Sequence, residues 1–282
     1  MKDLGKLYIS PTPIGNLDDI TIRTLNTLKE VNMIAAEDTR HTIKLLNYFD
    51  IKKSLISYHE HNKITKGPVI IDKLLDGEDI ALVSDAGMPG ISDPGEDLIK
   101  LAIENGIEVD VLPGATASIL ALILSGLSTE KFVFEGFLPS DKKQRKERLK
   151  EITTEYRTII LYEAPHRLIN MLKDLKGVFG DRKVAVCREL TKKYQEVFRG
   201  NVGEALDKFK KDKPRGEFVI VLEGISKENL EDIDKKLWED MSLKEHILMY
   251  MDKGFTKKDS VKKVAKERDI PKREVYKESI DI

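Results

Sequence analysis

The sequence predicts an α/β protein with two α/β domains, a parallel sheet in the first and a mixed sheet in the second, followed by a small helical module. Three observations support this fold class. Short runs rich in branched apolar residues alternate with helical patterns as far as residue 224. Loops rich in glycine and proline follow several of these runs. From residue 242 onward the pattern is purely helical.

The first domain, residues 1–114, alternates predicted strands with predicted helices. The strands are expected at Leu7–Ser10, Met33–Ala36, Ser54–Tyr58, Ile80–Ser84 and Val109–Leu112. The helices are expected at Thr21–Glu30, Thr39–Phe49, Lys63–Asp76 and Asp93–Asn105. Asp93 is the expected N-cap of the last helix, and Pro94 its first helical residue. This alternation indicates a mostly parallel sheet that is covered on both faces.

The second domain, residues 115–224, restarts the pattern after a glycine- and proline-rich turn. It opens with a short buried helix over 115–124. The strands are expected at Phe132–Glu135, Thr158–Tyr162, Lys183–Cys187, Glu196–Arg199 and Glu217–Leu222, and the further helices at Ser140–Ile152 and Pro165–Leu175. Two of the strands lie close together in the sequence around 189–200, which indicates antiparallel pairing and therefore a mixed sheet.

The remainder reads as a linker helix over 225–241 and a helix-turn-helix-like module over 242–282. The helices of this module are expected at Leu243–Lys253, Lys257–Asp269 and Lys272–Ser279. Thr256 is the expected N-cap of the second of these helices. The predicted core of the module is Val261, Val264, Ala265, Ile270, Val275 and Tyr276. Eleven lysines and arginines against eight acids make the module basic. It is predicted to dock on RNA or on a ribosome; the alternative is a stabilising appendage.

Composition limits the possible functions. The 282 residues are 34% charged, yet the net charge is only −1, so any nucleic-acid binding must come from local patches. The one cysteine, Cys187, excludes an internal disulfide framework and fits a reducing cytoplasm. The beginning of the sequence lacks the apolar region of a secretion signal, and no apolar run is long enough to span a membrane. We therefore expect a cytoplasmic protein without membrane contact.

Three stiff loops, Ser10–Asn16, 83–95 and Leu112–Ser118, each follow a predicted strand of the first sheet. Loops at the carboxyl ends of parallel strands are where ligands bind. Glycine lets the backbone approach a ligand closely, and proline holds the shape of a loop. The loops predict a small-molecule cleft, although ordinary tight connections are the alternative. The glycine fingerprint of dinucleotide sites and the Gly-Lys-Ser/Thr of a P-loop are absent.

The strings "PTPIGNLDDIT", "AAEDTRHT", "SDAGMPGISDPG", "LPGATAS" and "LYEAPHR" together resemble the tetrapyrrole methylase family. Within it they are similar to the branch of ribosomal RNA small subunit methyltransferases I. The resemblance implies a homodimer that binds S-adenosylmethionine between its two domains. It also implies methyl transfer to the ribose 2′-oxygen of a cytidine in the decoding centre of 16S rRNA, within the 30S subunit.

The resemblance also implies a set of cofactor contacts. These fall on Pro13, Ile14, Gly15, Asp85, Ala86, Gly87, Met88, Ile91, Thr116, Ala117 and Tyr162. Met88 stands where the tetrapyrrole enzymes carry an aspartate, and Asp85 is a candidate to replace that polar contact. The difference argues against a tetrapyrrole substrate.

Four residues at strand ends are predicted to line the reaction site: Asp38, Arg40, Glu163 and His166. Methyl transfer from a sulfonium depends on alignment and needs no metal. A ribose hydroxyl is a poor acid, so a carboxylate or neutral imidazole beside it would help as a base. Which residue is the base stays open. The alternatives are a helix cap with a surface ion pair at Asp38 and a first-turn position at His166. His59 and His61 lack a third ligand, so no metal is predicted.

The segment 140–151 holds six lysines and arginines against three acids. The predicted RNA contacts are Lys142, Lys143, Arg145, Lys146 and Arg167; a solvated helix face is the alternative. Two rival functions are a small-molecule methylase of the same fold and a helix-turn-helix nucleic-acid-binding protein without activity. The basic helix and basic tail argue against the first, and the intact "EDTRHT" and "YEAPHR" strings argue against the second.

Overall fold

The computed structural model describes residues 4–226, 238 and 241–280. The chain divides into two compact units. The larger is Met1–Thr153 with Arg157–Glu223, and the smaller is Thr154–Tyr156 with Gly224–Ile282. The larger unit contains two separate five-stranded sheets, and the smaller one is helical where it is described. The predicted linker helix over 225–241 lies almost wholly outside the described residues.

The first sheet is entirely parallel, with strand order β3-β2-β4-β1-β5. Its strands are β1 Leu7–Ile9, β2 Met33–Ala36, β3 Ser54–Ser57, β4 Ile80–Val83 and β5 Val109–Val111. Its helices are α1 Ile22–Glu30, α2 Thr39–Tyr48, α3 Lys63–Leu75 and α4 Gly95–Glu104, with a 3₁₀ turn at Leu17–Asp19. The predicted alternation is confirmed, with ends that shift by one or two residues.

Helices cover both faces of this sheet, as predicted, because the residues of β4 alternate between two cores. Ile80 and Leu82 pack in a cluster that includes Leu98 of α4. Ala81 and Val83 pack in another, which includes Leu46 of α2. All four residues of β4 are buried. The loops that follow β1, β2 and β4 are therefore gathered at one edge of a rigid sheet.

The second sheet is mixed, as predicted, with strand order β6-β7-β10-β8-β9. Only the β6–β7 pair is parallel. Its strands are β6 Phe132–Phe137, β7 Thr158–Glu163, β8 Lys183–Arg188, β9 Glu196–Asn201 and β10 Phe218–Leu222. Its helices are α5 Ala117–Ser125, α6 Lys142–Glu151, α7 Leu168–Phe179 and α8 Val202–Lys211. Helix α5 packs against this sheet. Both sheets belong to the larger unit, so the predicted boundary between residues 114 and 115 stays a prediction.

Five helices begin one to three residues later than predicted, and one helix was not predicted. Helix α4 begins at Gly95 with Pro94 at the N-cap, so the predictions of Asp93 as N-cap and Pro94 as first helical residue are each wrong by one position. The Asp93 carboxylate, one residue before the N-cap, accepts the Gly95 N–H at 2.7 Å. Helix α7 begins at Leu168 because residues 165–167 form a turn. Helix α8 was missed, although Asn201 and Glu204 form a capping box at its start.

The smaller unit has its own helices and its own core. The helices are α9 Leu243–Asp252, α10 Lys257–Glu267 and α11 Lys272–Glu278, and Thr256 caps α10 as predicted. Val261, Val264, Ala265 and Val275 are buried together, as predicted. Tyr276 is 59% exposed, so its prediction as a core residue is wrong; it lies one residue beyond Val275, on the solvent side of α11. No described helix has the length and apolar character that crossing a membrane requires.

Candidate active site

The loop between β4 and α4 is held in one shape by its own hydrogen bonds. Asp93 accepts the N–H groups of Gly90 and Gly95 at 2.8 and 2.7 Å. Gly87 and Thr12 exchange backbone hydrogen bonds of 3.0 and 2.9 Å, which ties this loop to the one after β1. Gly87 has a φ of +82°, and a Cβ there would lie 3.1 Å from Cγ2 of Ile14. The position therefore requires glycine.

Two cavities lie beside these loops. The first, of about 630 Å³, is lined by Thr12, Pro13, Ile14, Gly15, Leu17, His41, Lys44, Leu45, Tyr48, Asp85, Ala86, Lys192 and Glu217. The second, of about 370 Å³, is lined by Ile91, Ser92, Ala117, Phe137, Tyr162, Glu163, Ala164, Pro165, Glu217, Phe218 and Val219. Glu217 lines both. Each volume falls in the range of small-molecule sites.

Most of the predicted cofactor residues line one of these cavities. Pro13, Ile14, Gly15, Asp85 and Ala86 line the first. Ile91, Ala117 and Tyr162 line the second.

The other three predicted cofactor residues have structural positions. Gly87 forms the bridge to Thr12. Met88 packs against the core of the first sheet, and Thr116 is the N-cap of α5. For all eleven residues, cofactor contact stays a prediction.

Glu163 is the buried carboxylate of the second cavity. It ends β7 and is only 2% exposed. Its Oε1 accepts the Ala164 N–H at 2.9 Å, whereas its Oε2 is buried without a hydrogen-bond partner among the described residues. Burial raises the pKa of Glu163, although the Ala164 N–H and the charge of Arg167 act to lower it. A buried acceptor without a partner at a cavity wall is suited to a polar ligand.

Tyr162 connects the second sheet to the start of α5. Its hydroxyl accepts the Ser118 N–H at 3.2 Å, and its ring contacts Phe134 and Phe137 edge to face at centroid distances of 4.9 and 5.5 Å. One wall of the second cavity is therefore aromatic and fixed by packing.

Asp38 and Arg40 form the cap and ion pair that the alternative interpretation described. Asp38 accepts the backbone N–H, Nε and Nη2 of Arg40 at 2.8, 3.1 and 2.8 Å. These hydrogen bonds hold the pKa of Asp38 well below its usual range. The two residues do not line either cavity, and the Arg40 side chain is 87% exposed. His166 is exposed in the turn before α7.

Several cavity residues were not among the predicted site residues. His41, Lys44 and Tyr48 of α2 line the first cavity, and their spacing of three and four along a helix was a readable signal. Lys192 and Glu217, which form a 3.0 Å ion pair, carried no comparable spacing signal in the sequence.

Glu37, directly after β2, lines neither cavity. Burial, followed by the charges of Asp85 and Asp93, raises the pKa of Glu37.

A third cavity, which we call the basic cavity, lies between α6 and α7 and has a volume of about 570 Å³. It is lined by Ser140, Lys142, Arg145, Lys146, Arg167, Asn170, Lys173 and Asp174. Lys142, Lys146 and Arg167 were predicted RNA contacts. Lys143 was also predicted but lies outside this lining, exposed on α6.

The prediction of Arg145 as an RNA contact does not fit the structure. Arg145 is 7% exposed, and its Nε and Nη2 donate to Oδ2 of Asp174 at 2.9 and 2.7 Å. Its Nη1 donates to the Ser140 carbonyl at 3.1 Å. The donors of its guanidinium are engaged within the protein, so Arg145 supports the cavity wall.

Among the described residues there is no group of three or more potential metal ligands.

Comparisons with known proteins identify a family and several relatives of this chain. The model of the tetrapyrrole (corrin/porphyrin) methylases matches residues 6–206. A protein of Halalkalibacterium halodurans named "Ribosomal RNA small subunit methyltransferase I" is 51% identical over 274 residues, which are 97% of this chain and 94% of that protein. One of the same name from Thermotoga maritima is 50% identical over 221 residues, 78% of this chain and 99% of that protein.

Solved structures share the fold at low identity. Uroporphyrin-III-C-methyltransferase from Thermus thermophilus superimposes with a TM-score of 0.56 at 18% identity, covering 77% of this chain and 94% of that one. A second structure of the Thermus enzyme, complexed with S-adenyl homocysteine, has a TM-score of 0.55 at 16% sequence identity and covers 78% of this chain and 97% of that one. Diphthine synthase has a TM-score of 0.60 at 14% sequence identity and covers 78% of this chain and 90% of that one. These likenesses concern the fold alone.

Proposed function

The chain belongs to the tetrapyrrole (corrin/porphyrin) methylase family, and from this premise we propose that it is an S-adenosylmethionine-dependent methyltransferase of small-subunit ribosomal RNA. One observation carries the proposal. The chain is 51% identical, over 97% of its length, to a protein named for that activity. The tetrapyrrole enzymes, by contrast, are similar in fold at 18% identity or below.

The residues of the second cavity fit S-adenosylmethionine. When bound, this cofactor supplies an electrophilic methyl group on a positively charged sulfur. Oε2 of Glu163, which has no hydrogen-bond partner among the described residues, is a carboxylate oxygen that can accept a hydrogen bond from the cofactor or lie near its positive charge. The rings of Tyr162 and Phe137 offer apolar surface to the rest of the cofactor. We assign the cofactor to Ile91, Ala117 and Tyr162 in this cavity. Pro13, Ile14, Gly15, Asp85 and Ala86 would form the adjoining wall at the first cavity.

The proposed acceptor is the ribose 2′-hydroxyl of a cytidine in the decoding centre of 16S rRNA. The family resemblance supports this choice, whereas the name of the relatives supports only small-subunit ribosomal RNA as the substrate. A ribose hydroxyl holds its proton tightly at neutral pH. A base within hydrogen-bond reach would speed its attack by roughly 10² to 10⁴.

Of the four residues predicted to line the reaction site, Glu163 is best suited as the proton acceptor. Its pKa is raised by burial, and its Oε2 has no competing donor among the described residues. Asp38 is a weaker base because Arg40 stabilises its ionised form. Asp38, Arg40 and His166 would instead contact the RNA, since Arg40 and His166 are exposed and Asp38 orients Arg40.

The proposal includes the partners. The enzyme would act on the 30S subunit in the cytoplasm and would form a homodimer. The family resemblance supports the homodimer. Light scattering should then give about twice the chain mass of 32.1 kDa.

The test incubates the purified protein and labelled S-adenosylmethionine with 30S subunits and with naked 16S rRNA. Label in the RNA at one cytidine is the expected result. Methylation at the 2′-oxygen removes the nucleophile of alkaline cleavage, so the linkage after that cytidine should resist alkali. Label on the base, or alkali-sensitive cleavage at the site, would exclude a 2′-O product. Uroporphyrinogen III, added as a competing acceptor, should remain unlabelled.

A further inference from the structure

The basic cavity has positive charges from two different helices. Lys142 and Lys146, one turn apart on α6, line one side, and Lys173 of α7 lines the other. No carboxylate of the described residues lies within ion-pairing distance of Lys142 or Lys173. The nearest acid to Lys146 is Asp174, at 3.9 Å. Three ammonium groups around one cavity repel one another unless an anion lies between them.

The acid inside this cavity is already neutralised. Asp174 is 7% exposed, and its Oδ2 accepts two hydrogen bonds from Arg145. Arg145 also donates to the Ser140 carbonyl at 3.1 Å. The ion pair therefore fixes the spacing of α6, α7 and the loop before α6. It leaves the three lysines as the charges that can bind an external anion.

Arg167 connects the basic cavity to the second cavity. Its Nη2 donates to the carbonyls of Leu138 and Pro139 at 2.7 and 3.1 Å. Its Nε lies 3.2 Å from Oε1 of Glu163, in an ion pair that is not aligned as a hydrogen bond. An anion held by the lysines would thus lie one side chain away from the carboxylate that faces the proposed acceptor.

We propose that the basic cavity binds a backbone phosphate of the RNA substrate next to the nucleotide that is methylated. Lys142, Lys146 and Lys173 contact the phosphate, and Arg167 is a positioning residue between this cavity and Glu163. The inference rests on the proposed function, because that function supplies the polyanion. The proposed phosphate site differs from a basic helix face in two respects. Lys173, which lies on another helix, lines the cavity, and Lys143, which is next to Lys142 in the sequence, does not.

The experiment measures the affinity of the full chain for 16S rRNA and for 30S subunits at several NaCl concentrations. Each lysine that contacts a phosphate adds roughly 0.7 to 0.9 to the slope of log affinity against log salt. We expect Lys146→Ala and Lys173→Ala each to weaken binding about fivefold to tenfold and to reduce the slope by about one contact. The matched control is Lys100→Ala, an exposed lysine of α4. All variants should bind S-adenosylmethionine as the wild type does.

Three results would overturn the inference. The first is wild-type affinity and slope in both cavity variants. The second is an equal loss in Lys143→Ala, which would indicate the whole face of α6 rather than a cavity. The third is a loss on 30S subunits with unchanged binding to naked rRNA, which would indicate a protein contact. If the wild type binds RNA but transfers no methyl group to it, the proposed function is wrong. The slopes of log affinity against log salt for the lysine variants then still show whether the basic cavity binds a phosphate.

Discussion

Arg145 and Asp174 form an ion pair in which both side chains are 8% exposed and two guanidinium nitrogens donate to one carboxylate oxygen. Asp174→Ala would leave the arginine charge buried and unpaired. We expect a loss of about 3 to 5 kcal/mol in the free energy of unfolding, measured by urea denaturation. The control Asp207→Ala removes an exposed acid of α8 and should cost less than about 1 kcal/mol. Equal losses in the two variants would contradict the structural role of the pair.

Glu163→Gln is expected to separate activity from stability. Removing the proton acceptor should slow methyl transfer to rRNA by about 100-fold to 10,000-fold. The wild-type rate should fall as pH drops through the raised pKa of Glu163, because the protonated carboxyl cannot accept a proton. The variant should lack this fall. Glu147→Gln, on the exposed face of α6, should keep the wild-type profile. A wild-type rate in Glu163→Gln would remove Glu163 from the mechanism.

The stability of the same variant should depend on pH in the opposite sense. The folded protein holds the Glu163 proton more tightly than the unfolded chain does, since burial raises the pKa. The stabilisation from this group is therefore complete at low pH and is lost as pH rises through the folded-state pKa. Glu163→Gln should match the wild type in acid and exceed its thermal stability at neutral pH. A variant that is less stable than the wild type at neutral pH would contradict the direction of the pKa shift.

Gly87→Ala is expected to weaken the binding of S-adenosylmethionine, measured by calorimetry, by tenfold or more. The added Cβ would press on Ile14 and on the Ala115 carbonyl at 3.1 and 3.3 Å, and the loops at both cavities would have to shift. Gly106→Ala is the matched control: Gly106 also has a positive φ, of +71°, but no atom lies within 4 Å of the added Cβ. Both changes should cost about 1 kcal/mol of backbone strain. Equal cofactor affinities in the two variants would contradict the proposed site.

Truncation after Glu223 is expected to leave the larger unit folded and able to bind S-adenosylmethionine. The Thermotoga relative matches 221 residues of this chain over 99% of its own length, which is about the size of the larger unit. The removed residues 224–282 carry fourteen lysines and arginines against fourteen acids, but the module over 242–282 alone has a net charge of +3. If that module docks on RNA, affinity for 30S subunits should fall about tenfold or more. Sedimentation with subunits and calorimetry with the cofactor measure the two effects. Unchanged subunit affinity would exclude a docking role.

The strands and the stiff loops could be predicted because local sequence determines them. An apolar run such as Ile80–Val83 is followed by glycines and prolines that leave few backbone choices. Residues of the three stiff loops line the two cavities. The individual cofactor residues came from the family resemblance, and eight of the eleven line one of the cavities. Helix α8 was missed although Val202, Ala205, Leu206 and Phe209 repeat at helical spacing and are all buried.

Long-range pairing explains what the sequence could not reveal. Arg145 lies in a run of lysines and looks like its neighbours, but its partner is 29 residues away on another helix. Lys173 shows no motif at all and enters the basic cavity only because α7 packs beside α6. Likewise, the absence of a partner for Oε2 of Glu163 depends on packing around the end of β7. Side-chain chemistry can be read from sequence, whereas the neighbours that modify it cannot.

The order of strands in the first sheet has a consequence for biosynthesis. Within the described part of the chain, strand β1 pairs with β4 and β5 alone, so Leu7–Ile9 has no sheet partner there until the ribosome has made residues 80–83. At usual rates of translation this wait lasts roughly 4 to 15 s. During that time the apolar residues of β1 are outside any sheet. The first sheet therefore cannot assemble in the order in which its strands are made, because β1 waits for β4.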